Sequence, residues 1–124
     1  MKKNLTNEQK HKFILLHGAA NKYTAWETVL NDLRNDKREL LKNTDFYEFV
    51  FNGELEKADE IEEPINEKLH IYEARKKFWE SQDYFIKIFN EVAWQLVPEF
   101  KNIKLSELKS LTIAKKIMKW DLKF

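Results

Sequence analysis

Apolar positions recur every three or four residues through most of this chain, and the longest run of that rhythm covers residues 71–97. At about 100° per residue, Ile71, Ala74, Phe78, Phe85, Phe89, Val92 and Leu96 fall on one line. Trp79, Ile86, Ala93 and Val97 form a second line beside it. Together they predict a helix with one broad apolar face, the kind buried inside a bundle. Charges of alternating sign occupy the far side, as in Glu73–Lys77 and Asp83–Lys87, a spacing that suits a solvated face. Pro98 ends the element, because it has no N–H to donate and disfavours helical geometry at Val97. Pro64 suits a first helical position, so the helix is expected to begin at 64 or at 71.

Three residues break the pattern. Gln82 lies in the apolar arc among Phe78, Phe85 and Phe89. A buried amide must find partners or cost about 1–3 kcal/mol. It reads either as a satisfied core amide that fixes register or as the polar anchor of a pocket. Trp94 points away from the apolar face, and Tyr84 lies beside Glu73 and Glu91. If exposed, both are candidate anchors for a partner; alternatively Phe100 folds back over Trp94.

Shorter elements flank this one. Thr6 and Gln9 have the spacing of a capping box, which predicts a first helix through Phe13, Leu16 and Ala20, with Gly18 as a candidate end. Thr24 and Glu27 have the same form and predict a second helix, through Trp26, Leu30 and Leu33 to about Leu41. The aromatic run at 46–51 ends in Asn52-Gly53. It reads as a short helix closed by a left-handed Gly53 or as a hairpin strand turning at Asn-Gly. Helix is the better choice, because 54–63 is too charged to be its partner strand. A last helix is expected over 105–124, capped by Ser106. The predicted fold is all-α: a single domain, 1–124, formed as a compact bundle of four to five helices around the long central one.

Composition narrows the class. The 124 residues include two glycines, two prolines and no cysteine. Scarce turn residues favour helices, and the lack of cysteine excludes disulfides, thiolate metal sites and cysteine nucleophiles. No apolar run approaches the roughly 20 residues that span a bilayer, and the first ten residues do not read as a signal peptide. A soluble protein of a reducing cytoplasm is expected, with no membrane partner.

The net charge of +1 conceals strong segregation. Residues 45–67 carry nine acidic residues against one basic, a net of −8, while 98–124 carry seven basic against three acidic, +4. Charges near helix ends are stabilising in their own right, by about 0.3–1 kcal/mol each. Read functionally, Glu54, Glu56, Asp59, Glu60, Glu62 and Glu63 form a surface for a partner protein with a basic face. Lys109, Lys115, Lys116, Lys119 and Lys123 offer phosphate contacts, and so an alternative in non-specific nucleic-acid binding. The tail has no arginine, the usual reader of base edges.

Catalytic signals are sparse. Glu8–His11 and Glu67–His70 have the E-x-x-H spacing that ferritin-like four-helix bundles use in their di-metal sites, which gives a second alternative, a metal-binding enzyme. The central helix puts no glutamate on its apolar face to complete such a site, and no phosphate loop or nucleophile motif occurs. The expectation is a small non-enzymatic protein-binding module, an inhibitor or regulator, with no cofactor, no metal and no catalytic residue. It would act through the acidic 54–63 surface with Tyr84 and Trp94 as exposed aromatics, and self-association into a homo-oligomer is compatible with those surfaces.

Overall fold

The computed structural model describes residues 6–120, which form helices, turns and no strand. The helices are α1 (Asn7–Lys42), α2 (Phe46–Phe51), α3 (Leu55–Lys68), α4 (Ile71–Ile88), α5 (Leu105–Lys109) and α6 (Thr112–Met118). Beyond α4 the chain continues through a π turn, Phe89–Ala93, and a last α turn, Trp94–Leu96. A 3-10 turn follows at Pro98–Asn102. Chain contacts divide the molecule into two compact units, residues 27–77 and the remainder. Helices α1 and α4 each contribute one part to either unit.

The larger unit packs Leu16, Ala19, Ala20 and Tyr23 of α1 against Phe85, Ile88, Phe89, Val92 and Ala93. Leu108, Leu111, Ile113, Ala114 and Ile117 close the same core. Aromatic rings run through it in sequence. Phe13 stacks on Trp120 at 5.2 Å, Trp120 on Phe100 at 5.6 Å, and Phe100 meets Phe89 at 5.6 Å. Phe89 then meets Phe85 at 6.0 Å and Phe85 meets Tyr23 at 5.5 Å. Offset or tilted ring pairs of this kind add about 0.5–1.5 kcal/mol each beyond their buried area.

Side chains of α1 satisfy the carbonyls at the ends of the two short helices. Helix C-termini leave carbonyls without intrahelical donors. The Tyr23 hydroxyl donates to Lys109 O at 2.9 Å, at the end of α5. The His17 Nε2–H donates to Met118 O at 3.2 Å, at the end of α6. Gln82 Nε2 donates to the Tyr23 hydroxyl at 2.9 Å, leaving that oxygen's own proton for Lys109. Gln82, half-buried, thus has a hydrogen-bond partner in Tyr23.

The smaller unit buries Leu30 and Leu41 of α1, Ala58 and Asn66 of α3, and Ile71 and Ala74 of α4. Lys37 pairs with Glu62 at 3.2 Å across α1 and α3, both half-buried. The Tyr72 hydroxyl donates to Glu63 at 2.6 Å and accepts from Asn66 Nδ2 at 3.2 Å, joining α4 to α3.

Several boundaries differ from the sequence reading. The Thr6 capping box forms reciprocally, with Thr6 N–H donating to Gln9 at 2.9 Å and Gln9 N–H to Thr6 Oγ1 at 3.1 Å. The helix it opens does not end near Gly18 or restart at Thr24; α1 is continuous for 36 residues. The Thr24 hydroxyl bonds back to Ala20 O at 3.1 Å and so serves the helix interior instead of capping a new start. Pro64 lies inside α3, and the central helix begins at Ile71, after His70 takes a left-handed φ of 55°. The 105–118 stretch is two helices, because Leu111 at φ 68° breaks it. Lys104, not Ser106, stands at the start of α5, with its N–H donating to Glu107 at 3.4 Å. The expected helix past 120 lies outside the described residues. Run 46–51 is helical, closed by Gly53 at φ 75°.

Candidate functional site on helices α2 and α3

Helix α2 is six residues long and none of them is buried. Its start is held by Thr44, whose Oγ1 accepts from Phe46 N–H at 3.2 Å and donates to Leu41 O at 2.7 Å. Its end is closed by Gly53 N–H donating to Val50 O at 3.1 Å and Glu54 N–H to Phe49 O at 2.8 Å. The sharp left-handed turn at Gly53 brings α3 back against α2. Phe46 and Phe49 are half-buried, while Tyr47, Val50 and Leu55 are exposed and Phe51 is 90% exposed. Full burial of such a side chain is worth about 1.5–3 kcal/mol, and Phe51 gains almost none of it within this chain. A shallow hollow of about 360 Å³ follows, lined by Gly53, Glu54, Leu55, Glu56 and Lys57.

The acidic block divides in two. Glu62 and Glu63 are engaged within the unit, by Lys37 and by Tyr72. Accepting that hydrogen bond, Glu63 holds the Tyr72 hydroxyl above its ordinary value of 10.0. Glu54, Glu56, Asp59 and Glu60 are exposed. Glu56, Asp59 and Glu60 follow i, i+3, i+4 spacing and share one face of α3. Lys57 lies 3.4 Å from Glu54 and 5.6 Å from the centre of the Phe49 ring.

Tyr84 and Trp94 are both exposed, at 43% and 42%, and belong to the larger unit. Phe100 does not cover Trp94, because it is taken up by Phe89 and Trp120. In the unit that holds the acidic block, the exposed aromatic residues of α2 are Tyr47 and Phe51, which the sequence reading had not singled out. Their signal was present: five of the six residues 46–51 are apolar or aromatic, too many for one face of so short a helix. Trp79, placed on the apolar arc by periodicity, is 61% exposed.

Lys109, Lys115, Lys116 and Lys119 are exposed, on two short helices separated by Leu111; Lys123 lies outside the described residues. Glu8 pairs with Lys12 at 3.2 Å, and His11 is exposed on α1. Helix α3 ends at Lys68, so Glu67 and the left-handed His70 do not share the helical geometry their spacing implied. His70 Nδ1 lies 3.9 Å from Glu73 instead. Among the described residues no cluster of three or more histidine or carboxylate side chains is arranged to hold a metal ion. Nor, among them, is any helix long and apolar enough to cross a membrane.

The described residues thus form an all-α fold, with exposed aromatic residues on α2 and exposed carboxylates on α3. No family model, curated protein or solved structure matches the chain.

Proposed function

We propose that the protein is a small non-enzymatic binding module of the cytoplasm, an inhibitor or regulator that docks a partner protein on the α2–α3 surface. The observation that carries this reading is Phe51, 90% exposed on a helix with no buried residue that packs against α3, whose Glu56, Asp59 and Glu60 face solvent, as does Glu54 between the two helices. An aromatic side chain held on a rigid turn is the usual anchor of an interface, and surrounding charges set partner choice and association rate. The matching surface is basic, with an apolar recess that admits one ring. Unlike the lysines of the C-terminal helices, this face combines charge with an apolar anchor, which supports protein over nucleic acid as its target.

The test is affinity purification from the native host with wild type, with Phe51→Asp, and with Glu56, Asp59 and Glu60 changed to Lys. Calorimetry on any protein recovered follows. Recovery by wild type alone, with binding weakened at least about tenfold in each variant, agrees with the proposal. Equal binding by all three removes it.

A further inference from the structure

The larger unit has an exposed hollow that none of the described residues fills. It lies along α1 and is lined by Ile14, Leu15, Gly18, Ala19, Lys22 and Tyr84, with a volume of about 210 Å³. Ile14, Leu15 and Tyr84 are exposed apolar side chains. Gly18 is mid-helix in α1, where glycine is unfavourable relative to alanine. A methyl group built there meets nothing within 4 Å among the described residues, so no close packing among them accounts for the missing side chain. A floor kept low in an otherwise apolar hollow fits close approach from outside.

We infer that the occupant is α2 of a second copy of this chain, with Phe51 seated over Gly18 between Ile14, Leu15 and Tyr84. This rests on the reading of α2–α3 as a binding surface and names its partner. Size agrees: an apolar cavity of about 150 Å³ already holds a benzene ring. Charge agrees as well. Asp45 and Glu48 flank the aromatic residues of α2, and Lys22 stands at the hollow. More broadly, residues 27–77 carry fourteen acidic and nine basic residues, a net of −5, while the rest of the chain has a net of +6. Knob and hollow lie in different units of each molecule, so every copy offers one of each to its neighbours.

Sedimentation velocity tests this on wild type, Phe51→Asp and Gly18→Gln, from micromolar to near-millimolar protein at low and high salt. The expected result is a mass that rises with concentration in wild type, less so at high salt. Each variant weakens association at least about tenfold, and Gly18→Gln melts no lower than wild type. An equimolar mixture of the two variants recovers a dimer, because one retains its hollow and the other its knob. A wild type that stays monomeric throughout overturns the inference, as does a mixture that fails to pair. Association lost in Phe51→Asp but untouched in Gly18→Gln overturns the hollow while leaving the α2–α3 surface standing.

Discussion

Changing Tyr23 to Phe removes one oxygen from the core of the larger unit and disturbs two other groups. Lys109 O, at the end of α5, loses the donor 2.9 Å away. Gln82 Nε2 loses its acceptor, also at 2.9 Å. Each of the two lost hydrogen bonds is worth about 0.5–1.5 kcal/mol. Lys109 is exposed and Gln82 half-buried, so water meets part of the loss and the sum is about 1–3 kcal/mol. At about 4 °C per kcal/mol for a chain of this size, the melting temperature falls by about 4–12 °C. Urea titration followed by tryptophan fluorescence reads this unit selectively, because Trp26, Trp79, Trp94 and Trp120 all belong to it. Gln82→Met alone removes only the outer donor and costs about 1 kcal/mol. The double variant is less destabilised than the two single costs added, since Met no longer needs the oxygen that Phe lacks. A Tyr23→Phe protein within about 0.5 kcal/mol of wild type would refute the view that these bonds tie α5 to α1 and α4.

Other outcomes follow from the same geometry. Phe51→Ser leaves urea stability within about 0.5 kcal/mol of wild type, whereas Phe85→Ala, at a fully buried ring, costs about 3–5 kcal/mol. His70→Asn raises stability by about 0.5 kcal/mol, measured by thermal melting, because Asn tolerates the left-handed φ of 55° better than His. The Tyr72–Glu63 bond favours the protonated phenol, so Tyr72 titrates above its ordinary value of 10.0. Its contribution is complete below that pH and lost as pH rises through the raised value. Ultraviolet titration shows one late-ionising phenol more in wild type than in Tyr72→Phe.

Helical class and the central rhythm were legible because burial repeats at the helical period: Ile71, Ala74, Phe85, Phe89, Val92 and Leu96 are all buried where the pattern put them. Gly53 was legible because one backbone conformation favours that residue so strongly. Gly18 and Thr24 misled for a shared reason: both have the local chemistry of a helix boundary, yet packing of Leu16, Ala20 and Tyr23 holds α1 continuous through them. The breaks at His70 and Leu111 were invisible because neither residue signals a left-handed conformation as glycine does, and for Leu111 the surrounding fold imposes it. At the candidate site the acids were readable from charge alone. What no pattern showed was which acids are spent internally, Glu62 on Lys37 and Glu63 on Tyr72, and which aromatic residues stand beside the remaining four.

The binding role of α2 is tested most directly by photo-crosslinking in the native host. A photoreactive phenylalanine analogue is placed at position 51 or, as an exposed aromatic control in the other unit, at position 79. The account predicts a discrete adduct from position 51, lost when Glu56, Asp59 and Glu60 are changed to Lys, and none from position 79. Adducts from position 79 with none from position 51 would contradict it.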